Sequence, residues 1–335
     1  MHSKRAFAIA AFWLAGSLSI VFSAVAQDEV FVAQDGENTG SVGEYSISFN
    51  DGSISGSTIN SSLITTAPAG QSTEVRMSLA TDGSDLFVGE YSGGSTATIG
   101  EYSLNGTAIN SSFLTLSVPS FDGVGVPQLA SDGQGHLFVS VGDTVSEYTT
   151  GGTLLNSFSL VQGPSVVNIG ALAVDSSDDI YTAYTTGTSL GETYHGVIGK
   201  YTASGSPISR ELIATPNFLN ALTVGGGDLY VSILDGPPDL ASRVDEYTTD
   251  GATVMSPLIS GVSGHTALDG QGHLLLDGYG SGTIGVYTTS GTLLGSSAIS
   301  AAGGAEDMVV IPVPEPSSLA LLAVGALGLL VRRRP

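Results

Sequence analysis

The chain has 335 residues, with 46 glycines, 13 prolines, no cysteine, 41% hydrophobic and 12% charged side chains. That is enough apolar material for a large core, which excludes a disordered chain, and the lack of cysteine excludes a disulfide framework, a thiolate metal site and a cysteine nucleophile. All 31 acidic residues lie between Asp28 and Glu315, where Arg76, Lys200, Arg210 and Arg243 are the four bases, so the body carries −27, repels nucleic acid and anionic membrane surfaces, and gathers cations or basic partners.

Residues 1–26 read as a secretory signal: Lys4 and Arg5 form the positive start, Ala6 to Val21 the apolar segment, and Ala24-Val25-Ala26 a small-x-small cleavage site. The mature chain is expected to begin near Gln27, and the absence of an Arg-Arg pair favours export in the unfolded state.

From residue 27 to 312 one pattern recurs, an apolar inner strand, an Asp/Gly turn, a second strand with an aromatic residue or leucine, a variable loop, a strand ending in Tyr, and a Gly turn into a fourth strand. The segment "PQLASDGQGHLFVSVGDTVSEYTTGGTLLNSFSL", Pro127 to Leu160, is a clear copy. Tyr45, Tyr102, Tyr148, Tyr201, Tyr247 and Tyr287 mark six copies spaced by 57, 46, 53, 46 and 40 residues. Asp82-Gly83, Asp132-Gly133, Asp175-Ser176, Gly225-Gly226 and Asp269-Gly270 supply the first turn in five of them. Four short alternating strands per period of 40 to 50 residues predict the blades of a propeller. The first copy lacks its inner strand before Glu29–Ala33, and Ala305–Ile311 reads as an inner strand with nothing after it. Pairing the two closes an all-β ring of six four-stranded blades and removes the open sheet edges.

Within this pattern the body resembles six-bladed propellers of the NHL and gluconolactonase-like group. Aligned copies place Met77/Ser78, Pro127/Gln128, Gly170/Ala171, Asn220/Ala221, Gly264/His265 and Glu306/Asp307 at one mouth of the central channel. Asn220, His265, Glu306 and Asp307, with Arg76 and Gln128 nearby, are the polar constellation there. The resemblance implies a divalent cation, calcium or another, held by Glu306, Asp307 and Asn220 with His265 as proton carrier, because hard cations prefer oxygen ligands. The other expectation is a solvated mouth without chemistry. His136 and His273, in matching "DGQGH" turns, read as turn or strand-start residues, and Asp175, Asp178 and Asp179 as a solvated hairpin turn. Asn60, Asn105 and Asn110 stand in N-x-S/T sequences, and no Walker or His-Glu-x-x-His motif is present.

Residues 313–335 combine Pro314-Glu315-Pro316, an apolar run from Leu319 to Val331 and the cluster Arg332-Arg333-Arg334. As a helix, Ser317 to Val331 would span about 22 Å, short of the roughly 30 Å hydrocarbon core, and snorkelling arginines allow it to cross with the body outside. This three-part order resembles the PEP-CTERM sorting signal of Gram-negative bacteria. The resemblance implies recognition by exosortase, a membrane-anchored intermediate, removal of the tail, and delivery to the cell surface or an exopolysaccharide matrix. The resulting expectation is an exported binding or structural module with polysaccharide or another surface protein as partner. A metal-dependent hydrolase or lyase of lactone-like substrates in the channel is the alternative.

Overall fold

The computed structural model describes residues 26–313, apart from 38, 51–52, 67–73, 92, 119–125, 161–165, 187–194, 235–241, 279–281 and 302–303. The predicted signal segment, Pro314-Glu315-Pro316, the apolar run and the arginine cluster therefore lie outside the described residues. Those described form strands and turns and no helix.

The chain opens with β1 (Ala26–Gln34), the two-residue β2 (Gly36–Glu37), β3 (Gly40–Asn50) and β4 (Ser53–Thr66). The second blade is β5 (Glu74–Thr81), β6 (Asp85–Tyr91), β7 (Thr96–Ser103) and β8 (Ala108–Ser117), and the third is β9 (Gln128–Ser131), β10 (His136–Val141), β11 (Thr144–Thr149) and β12 (Leu154–Ser159). The fourth holds β13 (Val166–Val174), β14 (Ile180–Thr186), β15 (His195–Tyr201) and β16 (Pro207–Thr215), and the fifth β17 (Phe218–Gly225), β18 (Asp228–Leu234), β19 (Arg243–Thr248) and β20 (Thr253–Ser260). The sixth is β21 (Thr266–Leu268), β22 (His273–Asp277), β23 (Thr283–Thr288) and β24 (Leu293–Ser300), and β25 (Ala305–Val313) follows.

β25 pairs antiparallel with β1, giving the first blade the order β25-β1-β3-β4. The ring is thus closed by the last strand of the chain, as the incomplete first copy requires. Inner strands neighbour one another in the cycle β25, β5, β9, β13, β17, β21 and back to β25. β2, which no sequence pattern announces, adds a fifth strand to the second blade through Gly36–Val75 and Glu37–Glu74. β25 runs to Val313, one residue into the predicted sorting segment, with Pro312 opposite Asp28 and Val313 opposite Gln27.

Each blade buries both faces of its sheet against its neighbours, so the second strands read as near-continuous apolar runs such as "DLYVSIL" in β18. One apolar cluster fills each of the six interfaces. For example, Val30, Tyr45 and Ile47 meet Leu275 and Val286 between the first and sixth blades, and Phe87 and Ile99 meet Leu137 and Val139 between the second and third.

A second set of contacts runs around the periphery. In five blades the turn glycine before the outer strand lies against the outer strand of the preceding blade, Gly106 on Leu63, Gly152 on Phe113, Gly205 on Phe158, Gly251 on Leu212 and Gly291 on Leu258, and in the first blade Gly56, inside β4, closes the circle on Ala298. The first five have φ between +80° and +85°, a region that favours glycine. Just beyond these turns every outer strand carries a bulge at an aliphatic residue, Ile59, Ile109, Leu155, Ile208, Val254 or Leu294. Such bulges twist an exposed edge away from foreign strands.

Candidate functional site

All six inner strands contribute to the central channel, a cavity of about 260 Å3. Its wall is mostly Ala, Leu and Val, including Ala80, Ala130, Leu172, Leu222, Ala267 and Met308, and its polar residues gather toward the ends. Strand registers put one residue of each inner strand opposite the equivalent residue of the second strand: Asp307 opposite Ala33, Ser78 opposite Gly89, Gln128 opposite Ser140, Ala171 opposite Ala183 and Ala221 opposite Ser232. In the sixth blade His265 takes this place, its carbonyl accepting from Asp277 N at 3.1 Å. The copies align in space as their sequences do.

Three of the preceding residues, Glu306, Gly170 and Asn220, fall where the register slips by one. A bulge re-aims the side chain it carries, and Asn220 lines the channel beside His265, Asp307 and Gln128, while Glu306 stays outside the cavity wall. Arg76 stands two residues before Ser78 on β5 and is exposed.

The sequence reading omitted one residue of this group. Asp277 occupies a position held elsewhere by Ala33, Gly89, Ser140, Ala183 and Ser232, and all six are buried. Its side chain, 3% exposed, sits behind His265, with Oδ2 3.6 Å from His265 Nδ1. Asp277 Oδ1 accepts the His265 backbone N–H through a short hydrogen bond. Gly264 makes this possible, since a Cβ there would collide with the Asp277 carboxylate, and its N–H is satisfied by Ser232 Oγ at 3.0 Å. The available signal was the lone aspartate in a column of small residues.

Asp307 clasps the next blade. Its Oδ2 accepts from Leu79 N at 2.8 Å and its Oδ1 from Met308 N at 2.8 Å. Burial pushes the Asp307 carboxyl above the usual range, and the charge of His265 and the two amides offset this only in part. For His265 burial acts downward, but the Asp277 carboxylate, followed by the charges of Asp307 and Glu306, outweighs it and holds the imidazole above its ordinary value. Three buried polar atoms here, Asn220 Nδ2, His265 Nδ1 and Asp277 Oδ2, have no hydrogen-bond partner among the described residues.

A resident divalent cation needs several oxygen ligands converging on one point. Among the described residues no group of three or more His, Asp and Glu side chains is disposed to hold a metal ion, and both oxygens of Asp307 are committed to backbone amides. This donor set does not fit a bound metal, and no chemistry is routed through one.

The remaining candidates resolve into local structure. His136 and His273 open β10 and β22, and each Nδ1 meets the turn aspartate four residues earlier, Asp132 at 2.6 Å and Asp269 through a shorter contact. His273 also stacks on Phe49, with ring centroids 4.1 Å apart. Gln134 and Gln271 of the two turns reach the next blade at Asp178 and Asp28. Asp175 Oδ1 caps the N–H groups of Ser177 and Asp179, a tight turn with Asp178 at φ 62°. The three N-x-S/T asparagines do the same on a smaller scale, each accepting from the N–H two residues on, Ser62, Thr107 and Ser112.

Residues 312–334 match the PEP-CTERM protein-sorting motif. That match suggests exosortase-dependent sorting of an exported chain through a membrane-anchored intermediate. The body is similar in fold to a gluconolactonase of Xanthomonas campestris, at 17% identity and TM-score 0.50 over 71% of this chain and 79% of that one. A protein of unknown function from Bacteroides caccae is similar at 14% identity and TM-score 0.52, over 86% and 99%. At such identities the likeness is one of fold alone. No curated protein matches the sequence.

Proposed function

We propose that this chain is an exported six-bladed propeller that serves as a binding or structural module at the cell surface or in an exopolysaccharide matrix, delivered there by exosortase. The observation that supports the reading is where the ring ends. The sorting motif begins at residue 312, Val313 is the last residue of β25, and its partner across the closing pair is Gln27. Cleavage of a signal peptide after Ala26 and removal of a tail beyond Val313 therefore bracket one strand pair, and both ends can be processed without opening the ring. The polysaccharide or surface-protein partner proposed here would meet the channel mouth, where the repeat departs most from its own pattern. The alternative of a metal-dependent lactonase gains no support from the donor set at that mouth.

Deleting Pro314 to Pro335 tests the proposal. The shortened chain should fold with the same unfolding temperature and be lost to the medium or stranded in the periplasm. Unchanged localisation would overturn the sorting role.

A further inference from the structure

A groove of about 810 Å3 lies between the outer strand β20 of the fifth blade and strands β22, β23 and β24 of the sixth, apart from the central channel. It opens where the repeat loses side chains. Directly after Ala33, Gly89, Ser140, Ala183, Ser232 and Asp277 the six second strands carry Gln34, Glu90, Val141, Tyr184, Ile233 and Gly278, so the sixth blade alone has no side chain at this place. On the facing strand, Gly261 stands two residues beyond Ile259, where the second blade has Leu116 two residues beyond Leu114. A Cβ added to Gly261 meets nothing within 4 Å. The corresponding gap between the second and third blades keeps Leu116 and Val141 and measures about 230 Å3.

The missing side chain also leaves a hydroxyl bare. In the first blade Gln34 Nε2 donates to Tyr45 OH at 2.8 Å, and in the sixth Gly278 takes the place of that glutamine beside Tyr287, the counterpart of Tyr45. Tyr287, Ser242, Ser260, Ser263 and Ser296 all line the groove, and none of these five hydroxyls has a hydrogen-bond partner among the described residues. Leu258, Leu276 and Leu293 add apolar wall, Leu293 with 51% of its surface exposed. No acidic or basic residue lines the groove, although the body around it holds 31 acids. A hydroxyl donates one hydrogen bond and accepts two, so hydroxyls set between aliphatic walls match an uncharged molecule with hydroxyls on its edges and C–H groups on its faces, which is a neutral sugar. A polyanion is repelled by the field of the body, as is a second copy of the chain, and a cation finds no carboxylate in the groove. The volume falls within the roughly 300–1,000 Å3 of small-molecule sites.

We propose that the groove between the fifth and sixth blades binds a neutral oligosaccharide, its hydroxyls bonding to Tyr287 and the four serines and its ring faces lying against the leucines. The proposal rests on reading the propeller as a binding module with a polysaccharide partner, and it adds a contact with that partner away from the channel mouth. It does not rest on where the protein is delivered, so the truncation experiment and the one below fail separately.

The test titrates the full chain, in a detergent without a sugar head group, with cellohexaose, mannohexaose and chitohexaose in turn. Saturation transfer to the sugar gives the affinity, and the ring resonances of Tyr287, identified from their loss in Tyr287→Phe, report the place. At least one of the three should bind and shift Tyr287 saturably, and hexagalacturonate should not. Gly278→Val installs the residue that the third blade carries at this position, so folding should survive, and by filling the groove it should weaken binding by about tenfold or more. Tyr287→Phe keeps the ring and should weaken binding by about threefold to tenfold, the effect of losing one neutral hydrogen bond. No saturable change with any of the three sugars would overturn the proposal, as would tighter binding of hexagalacturonate. Binding that persists in Gly278→Val and is lost in Asn220→Ala would return the partner to the channel mouth, overturning the groove while leaving the binding-module reading in place. A dimer in sedimentation that Gly278→Val dissolves would give the groove to a second copy and overturn the proposal too.

Discussion

Replacing Gly251 by alanine tests whether the periphery of the ring is held by the glycine contacts between blades. Gly251 has φ +85°, and a Cβ there would stand 2.8 Å from the Leu212 carbonyl oxygen and 3.0 Å from its Cγ and Cδ1. Leu212 belongs to the outer strand of the preceding blade, so neither partner can yield without moving a strand. Gly83 provides the control, because it has φ +88° with nothing within 4 Å of the same added atom. Both variants bear the cost of an alanine in the left-handed region, about 1–2 kcal/mol. Gly251→Ala adds an overpacking cost of about 1–3 kcal/mol. At roughly 2–4 °C per kcal/mol for a domain of this size, midpoint costs of about 1.5 and 3.5 kcal/mol should lower Tm by about 3–6 °C in Gly83→Ala and by about 7–14 °C in Gly251→Ala. Scanning calorimetry of the two variants side by side reads the difference directly. Equal losses would show that the blades do not lean on one another through these turns.

Lys200 should prove a second tie between blades. It is buried, lies 3.0 Å from Asp179 and donates to Thr249 O of the next blade at 3.3 Å, so Lys200→Met is expected to cost about 1–3 kcal/mol in a denaturant titration. The Asp132–His136 pair predicts a pH signature. For Asp132 burial pushes upward, but the N–H groups of Gln134 and His136 and the imidazole prevail and lower it. His136 is raised, chiefly by its hydrogen bond to Asp132. A lowered acid stabilises above its unfolded value, near 3.9, and loses that contribution as pH falls through its folded value, whereas a raised histidine stabilises below about 6.5 and loses it as pH climbs through its own. The contribution of this pair to Tm should therefore be greatest between about pH 4 and 6.5, and His136→Gln should reduce the alkaline fall, to which the raised His265 also contributes. Because the mouth does not fit a resident metal, EDTA should leave Tm unchanged, whereas a melting shift on adding calcium would contradict that assignment.

The ring was legible because a propeller repeats its constraints. Each Tyr closing a third strand and each Asp-Gly turn is fixed by the same local geometry, so misalignment of one copy is corrected by the others. Glycine two residues before Tyr illustrates this: in Gly43-Glu44-Tyr45, Gly100-Glu101-Tyr102 and Gly199-Lys200-Tyr201 a Cβ on the glycine would strike the tyrosine ring. Closure could be read because an orphan inner strand at Ala305–Ile311 matched an orphan second strand at Glu29–Ala33. Asp277 escaped because attention to channel-lining positions follows inner strands, while this residue acts from the strand behind. β2 escaped because two residues carry no period. The peripheral contacts could not be read at all, since Gly251 and Leu212 are brought together only by the rotation from one blade to the next.

If an intact ring is delivered by a tail it does not need, the delivered chain keeps the closing strand pair and loses the tail. Mass spectrometry of the protein recovered from a strain that contains exosortase and from one that lacks it tests this most directly. The expected product is a chain beginning near Gln27 and ending beyond Val313 but short of the Arg332–Arg334 cluster, found outside the cytoplasmic membrane, with the tail retained when exosortase is absent. A chain ending at Pro335 in both strains, at the same location, would contradict it.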